Sequence, residues 1–259
     1  MLKDKIKNTK VIKWNLAIFY LAQAGFVFKT SANKVIYIDP YLSDACNRIS
    51  GVKRLIPAPI NPEDVIADIL ICTHEHEDHL DPDAVPVIAK NPKVKFVGSP
   101  GCVKEFKKLG IQNSRIFLIE DGKTVNINGI NISGVYADHG KYLKDAVGIL
   151  LNIDGINIYH TGDTAYRPYK IIDSLRTKPD IIIPVINGTF GNLNSKEAAQ
   201  LSNKVGAKIT IGCHFGMFAI QNGDPDEFVK MCKKFAADIK VLIMKPAELY
   251  EYKVRKNGG

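Results

Sequence analysis

The chain has 259 residues, a length that suits one large domain or two small ones, and 46% of the residues are hydrophobic, which is enough for a sizeable core. The formal net charge is +8, but only six of the 35 basic residues are arginine and the lysines are scattered, so we expect a solvated surface and do not favour a nucleic-acid partner. No apolar stretch reaches the ~20 residues that a membrane helix needs, so we expect no membrane-spanning segment.

The first apolar segment allows two interpretations. A basic start, the run LAIFYLA (16–22) and Ala22-Gln23-Ala24 resemble a secretory signal peptide with its cleavage site. The run is short, however, and GFVFKT and VIYIDP continue the apolar pattern after it, so we interpret residues 16–39 as opening strands. The five cysteines form no C-x-x-C pair, which indicates a reducing compartment without disulfides, and we expect a cytoplasmic protein.

Short runs rich in Ile and Val predict strands over 16–21, 25–29, 34–38, 68–72, 94–97, 115–119, 124–127, 130–136, 147–153, 155–160, 180–186, 208–212 and 241–244. Helices are predicted over 81–90, 101–109, 166–176, 195–205 and 225–236, with capping signals at Asn194 and Asp224. We see no linker or repeat and expect one domain over 1–259. This mixture of strands and helices indicates an α/β (α+β) fold with helices packed outside a two-sheet core.

The histidines share one property, which is that each lies at or just beyond the carboxyl end of a predicted strand; they are His74, His76, His79, His139, His160 and His214. Folds often carry reacting groups on such loops, and neutral imidazole is the commonest metal ligand. In HEHEDH (74–79), His74 and His76 are two residues apart, so on an extended segment they point to the same side and can share one ion. Asp78 and His79 follow where the chain turns and can face a second ion, while Glu75 and Glu77 are predicted to point away.

Other strand ends add candidate residues to this cluster. Asp163 lies in the turn Gly162-Asp163-Thr164 and is placed to bridge two cations, because a carboxylate has two oxygens. His139 and His214 are either ligands or hydrogen-bonded structural histidines, and the HEHEDH cluster favours the first. His160 comes too early for the turn, so we predict that it supports the ligands or lies in the core. A charged surface turn is the alternative interpretation of HEHEDH.

HEHEDH together with His139, Asp163 and His214 resembles the metallo-β-lactamase superfamily in its two-metal hydrolase arrangement. Further segments look like the L-ascorbate-6-phosphate lactonases and their relatives: LAQAGFVFKT (21–30), IDPYLSDACN (38–47), LIPAPINPEDV (55–65), HEHEDHLDPDA (74–84), YHTGDT (159–164), PVING (184–188), NLNSKEAAQL (192–201) and CHFGMF (213–218). The resemblance spans residues 15–250, and IDPYLSD and APINPEDV are its more specific parts.

The resemblance implies a metallo-β-lactamase fold, a four-layer αββα sandwich with the site at one edge of the two sheets. It also implies two divalent metal ions, Mn²⁺ or Zn²⁺. One ion would be held by His74, His76 and His139, and the other by Asp78, His79 and His214, with Asp163 bridging them. Asp39 at a strand end would steady the ligands. A cytoplasmic location and a homo-oligomer are further implications.

The expected activity is metal-dependent hydrolysis, in which two ions lower the pKa of a shared water toward about 7 and supply hydroxide. Asp78 is predicted to accept a proton from that water, and Asn187 either donates to the substrate or is a turn residue. We expect a small-molecule anionic substrate, a sugar-acid lactone or its phosphate such as L-ascorbate 6-phosphate. Residues 187–192 lack the arginine and longer loop of the lactonases, however, which weakens the case for a phosphate. The alternatives are a phosphodiesterase or nuclease of the same fold and a non-catalytic metal-binding protein.

Overall fold

The structure is a computed structural model that describes residues 1–141, 143–221 and 223–254. Within these ranges the strands are Asn15–Ala22 (β1), Gly25–Lys29 (β2), Val35–Ile38 (β3), Ile69–Cys72 (β4), Lys95–Gly98 (β5), Ile116–Leu118 (β6), Thr124–Ile127 (β7), Ile130–Tyr136 (β8), Val147–Ile153 (β9), Ile156–His160 (β10), Ile181–Ile183 (β11), Ile209–Ile211 (β12), Lys240–Leu242 (β13) and Leu249–Lys253 (β14). The α-helices are Leu2–Asn8 (α1), Ala45–Ser50 (α2), Ala84–Ala89 (α3), Pro100–Lys108 (α4), Pro168–Leu175 (α5), Ser195–Lys204 (α6) and Pro225–Phe235 (α7).

These strands form two seven-stranded sheets. The first sheet has the order β14-β1-β2-β3-β4-β5-β6 and is antiparallel from β14 to β3 and parallel from β3 to β6. The second has the order β13-β12-β11-β10-β9-β8-β7 and is parallel from β13 to β10 and antiparallel from β10 to β7. The first sheet thus contains β1 to β6, and β14 returns to it from the far end of the sequence.

The side chains of β1 show how the layers are stacked. Ile18 belongs to a buried cluster that extends to Ile149 in the second sheet, whereas its neighbour Phe19 joins a separate cluster with residues of α1, α3 and α4. Successive side chains of a strand point to opposite faces, so the first sheet is buried on both sides. Apolar residues of α5, α6 and α7 join the cluster of the second sheet. Helices therefore cover both outer faces, which confirms the predicted αββα sandwich.

The predicted elements are found close to their predicted bounds, with informative exceptions. Helix α6 begins with the predicted capping box, in which Asn194 Oδ1 accepts from the Glu197 backbone N–H at 3.0 Å and the Asn194 N–H donates back to Glu197 Oε2 at 3.1 Å. Helix α3 begins at Ala84, later than predicted, because Oδ1 of the buried Asp81 accepts from the Asp83 and Ala84 backbone N–H groups in the turn before it. The sequence analysis missed α1, α2 and β14.

Two further features concern membrane spans and cysteines. No helix described there has both the length and the apolar character needed to cross a membrane. All five cysteines are free thiols with buried side chains.

Candidate metal centre

The candidate site lies where loops from both sheets meet at one edge of the sandwich. The loop after β4 carries His74 to His79, and the loops after β8, β10 and β12 carry His139, Asp163 and His214 respectively. Carboxyl ends of neighbouring strands are a common location for reacting groups. The structure thus brings together all seven side chains that were predicted as ligands.

The first group of ligand atoms is formed by three imidazole nitrogens. Nδ1 of His76 lies 3.0 Å from Nε2 of His74 and 3.2 Å from Nε2 of His139. Two nitrogens bound to one tetrahedral ion, each at about 2.0–2.1 Å, lie about 3.3 Å apart. The three nitrogens are therefore spaced as ligands of a single cation would be.

The second group contains two imidazole nitrogens and two carboxylate oxygens. Nε2 of His79 lies 3.3 Å from Nε2 of His214, and both nitrogens lie within 3.2–3.6 Å of Asp78 Oδ2 and Asp163 Oδ1. Nitrogen and carboxylate oxygen are the donors that Zn²⁺ and Mn²⁺ accept. This donor set also fits one cation.

Asp163 connects the two groups. Its Oδ1 faces the second group, and its Oδ2 lies 3.7 Å from Nε2 of His139 in the first. Oδ1 is buried and has no hydrogen-bond partner, while Oδ2 accepts from Asn192 Nδ2 at 2.7 Å. Gly162 before it has a φ of 56°, and a Cβ there would lie 2.8 Å from the Val147 carbonyl oxygen. Glycine is required at this position because the backbone is left-handed and leaves no room for a Cβ. The turn that it allows places the Asp163 side chain between the two groups.

A buried carboxylate contacts the ring nitrogen of His79 that does not face the ligand atoms. Asp39 Oδ2 lies 2.8 Å from His79 Nδ1 and accepts from the Thr73 hydroxyl at 2.7 Å, while Oδ1 accepts from the Thr73 backbone N–H at 2.8 Å. The same hydroxyl lies 3.0 Å from His74 Nδ1. A carboxylate on one ring nitrogen fixes the tautomer, so that the other nitrogen is free to bind a cation. These contacts connect Asp39 to two of the proposed ligands, directly to His79 and through Thr73 to His74, and its role in steadying them stays a prediction.

Two glutamines and an asparagine of the site were missed by the sequence analysis. Gln23 Nε2 donates to Asp78 Oδ2 at 2.7 Å, and the Gln23 carbonyl accepts from the His214 N–H at 2.7 Å. Gln221 Nε2 lies 3.2 Å from His214 Nδ1, and Asn192 bonds Asp163 as described above. Gln23 lies in a left-handed turn directly after β1, with a φ of 53°, a conformation that no pattern in the sequence indicates. No pattern in the sequence indicates Gln221 either.

Other residues singled out from the sequence lie in different settings. Both ring nitrogens of His160 have backbone partners, Ala24 O at 2.9 Å and the Gly162 N–H at 3.1 Å, so it is a buried structural residue beside the Asp163 turn. Asn187 is buried and donates to Thr189 Oγ1 at 3.0 Å, and its catalytic role stays a prediction. Glu77 lines the cavity described below but belongs to none of the groups of ligand atoms, so its predicted orientation away from the ions stays a prediction.

The electrostatic environment keeps four of these groups, Asp78, Asp163, His74 and His139, in the protonation states that ligands need. Burial alone would raise the pKa of Asp78 and of Asp163, but neighbouring histidines lower both pKa values below their ordinary range. Burial, followed by the charge on His79, lowers the pKa of His74, and burial also lowers the pKa of His139. The two carboxylates are therefore ionised and these two imidazoles neutral at neutral pH. Burial opposes a charge on His79, yet three carboxylates around it, led by Asp78, raise its pKa.

A cavity of about 350 Å³ opens directly against the ligand atoms. Five of the predicted ligands line it: His76, Asp78, His139, Asp163 and His214. A small molecule in this cavity would contact both groups of ligand atoms. Such access is typical of a catalytic metal site and not of a closed structural one.

The fold and this donor set define a class of protein. A family model described as "Beta-lactamase superfamily domain" matches residues 17–214, and the chain belongs to that superfamily. It is 30% identical over 249 residues to a "UPF0173 metal-dependent hydrolase" of Archaeoglobus fulgidus, covering 92% of this chain and 99% of the relative. A relative of the same description from Methanospirillum hungatei is 28% identical, covering 82% of this chain and 98% of the relative.

A solved structure supports the same fold. The metallo hydrolase Igni18 of Ignicoccus hospitalis superposes with a TM-score of 0.76 at 21% identity, covering 93% of this chain and all of that one (100%). The chain is thus a metal-dependent hydrolase of the metallo-β-lactamase fold. The narrower resemblance to the L-ascorbate-6-phosphate lactonases stays a prediction.

Proposed function

We propose that the protein is a lactonase that holds two divalent cations and opens cyclic carboxylic esters. The observation that carries this proposal is the position of Asp163, whose two oxygens face two separate groups of ligand atoms beside an open cavity. Paired cations sharing one carboxylate suit hydrolysis, because water and substrate can be held side by side. An open cavity at the ligands favours an enzyme over a non-catalytic metal-binding protein.

Each cation has its own proposed ligands. His74, His76 and His139 would hold the first, and Asp78, His79 and His214 the second, with Asp163 shared. The mixed nitrogen and oxygen donors suit Zn²⁺ or Mn²⁺. When bound, such cations lower the pKa of water and polarise a substrate carbonyl.

The protein's own residues would orient the ligands and move a proton. Asp39 keeps His79 Nε2 turned toward the second group, and Gln23 holds Asp78 by its Oδ2. Asp78 Oδ1, which the Gln23 bond does not use, is the proposed acceptor of the proton from the attacking water. Asp78 lines the cavity, so its proton can be passed to the leaving alkoxide without a change of the fold.

A metal-resolved activity assay tests the proposal. The protein would be loaded with Zn²⁺ or Mn²⁺ and supplied with simple lactones, sugar-acid lactones, their phosphates and phosphodiesters. We expect lactone hydrolysis by the wild type and none by Asp163→Ala, which should also retain less metal. Hydrolysis of phosphodiesters alone would refute the lactonase proposal, and two tightly bound ions with no hydrolysis of any substrate would favour the non-catalytic alternative.

We make further proposals about the location of the protein, its assembly and the charge of its substrate. Five free, buried cysteines suit a reducing compartment, and we propose the cytoplasm. A homo-oligomer remains a proposal that sedimentation would test. The anionic substrate expected from the sequence is one arm of the same assay.

A further inference from the structure

The part of the cavity wall that the proposed ligands do not form is mostly apolar. Its described apolar residues are Cys46, Val52, Leu143, Phe190, Phe218 and Ile220, and its polar ones are Ser50, Glu77 and Gln221. None of the described lining residues is lysine or arginine. Among them, Glu77 is the acidic residue that is not a proposed ligand. The wall therefore offers a large apolar surface and a negative charge.

This wall is poorly suited to a phosphate. Proteins usually recognise phosphate with arginine forks, lysine or a set of backbone N–H groups, and the described lining has neither of these cations. A phosphate against this wall would lose its water and share the cavity with the negatively charged Glu77. An uncharged apolar group would lose only unfavourable contact with water.

The wall is also held in shape before any substrate enters. Phe218 is buried, its ring lies 5.7 Å from that of Tyr41, and its backbone bridges to Arg54. At the cavity mouth, by contrast, Phe190 is 68% exposed and Ile220 is 51% exposed. Large apolar side chains this exposed beside a cavity gain burial when an apolar group covers them.

We propose that the substrate is an ester or lactone with an uncharged apolar substituent that lies against Val52, Phe218 and Ile220, with Phe190 at the mouth. The hydrolytic part of this inference rests on the proposed lactonase function. The cations would receive the carbonyl end, and the apolar wall would select the substituent. Selectivity should then follow the length of the substituent and fall with negative charge.

The first test uses chain length. For the metal-loaded wild type, kcat/KM for γ-lactones with alkyl tails should rise about fourfold per added methylene until the cavity is filled. A phosphorylated sugar-acid lactone should be a poorer substrate than a neutral lactone of similar size. A flat dependence on chain length, or a preference for the phosphorylated lactone, would overturn the inference and leave the lactonase function intact.

A binding test separates the two proposals. Titration calorimetry of the same metal-loaded protein with butyrate, hexanoate and octanoate should give a Kd that falls about fourfold per methylene. If that trend were found without hydrolysis of any lactone, the apolar site would stand and the lactonase function would fail. Equal Kd values for the three acids would refute the apolar site.

A pair of variants completes the design. Ile220→Lys should lower the preference for neutral over phosphorylated lactone at least tenfold, because it adds a cation to the wall. Ile66→Lys is the matched control, since Ile66 is 43% exposed and is not among the described lining residues. Equal preferences in the two variants would contradict the proposed position of the substituent.

Discussion

Replacing Asp39 by asparagine tests how the ligand histidines are oriented. The carboxylate has three contacts at 2.7–2.8 Å, with His79 Nδ1 and with the hydroxyl and the backbone N–H of Thr73. The φ of Asp39 is 44°, a left-handed value that asparagine tolerates at least as well as aspartate. Asp39→Asn therefore alters the acceptors and leaves the backbone preference unchanged.

An asparagine amide has one acceptor oxygen, so it cannot accept from both His79 Nδ1 and the Thr73 backbone N–H. If the NH₂ group faces His79, Nδ1 becomes an acceptor and the proton moves to Nε2, the atom aimed at the second group. If it faces the Thr73 N–H, a buried donor loses its partner, which costs about 1–3 kcal/mol of folding free energy. The first outcome should weaken metal binding about 10–100-fold, or about 1.4–2.7 kcal/mol.

Two measurements distinguish these outcomes. Competition with a chelator gives the metal affinity, and urea unfolding of the metal-free protein gives the stability. Asp154→Asn is the matched control, because Asp154 also has a left-handed φ, 52°, and its exposed side chain accepts from Ser31 at 2.9 Å. The reasoning is refuted if Asp39→Asn matches this control in both assays.

Three further predictions concern stability. Asp81→Asn should lower the free energy of unfolding in urea by at least about 3 kcal/mol, because the buried Asp81 accepts five hydrogen bonds. Asp83→Asn is the control and should change that free energy by less than about 1 kcal/mol, because the Asp83 ion pair with Arg48 is exposed. Lys29→Met should lower the free energy of unfolding by about 1–3 kcal/mol, since the Lys29 ammonium donates to the Ile6 and Lys7 carbonyls at the end of α1. An unchanged urea midpoint would contradict this prediction. Removing metal with a chelator should lower the Tm in scanning calorimetry, and an unchanged Tm would argue against tight binding.

The sequence was sufficient to predict that the proposed ligands meet at one edge of the fold, because they follow strands. His74, His139, Asp163 and His214 are far apart along the chain, yet each comes after an apolar run that ends at the same edge of the sandwich. Period-two spacing in HEHEDH then divided the cluster between two groups. Local pattern was enough here, since the direction of each strand determines where its loop lies.

The supporting residues could not be found in this way. Gln23 reaches Asp78 and His214 across 55 and 191 residues of sequence, and no spacing rule connects such positions. The short α1 was missed because only Leu2 and Ile6 in it are buried, which is too few to show a period.

The strand that the sequence analysis missed covers one edge of β1, a long apolar strand of the first sheet. β14 pairs with β1 from Asn15–Lys253 to Phe19–Leu249, and β1 is NLAIFYLA, with seven of its eight residues buried. Without β14, the unpaired N–H and C=O groups of this sequence would form an open sheet edge, which is a template for aggregation. Truncation before Leu249 should therefore reduce the soluble yield even though no proposed ligand is removed.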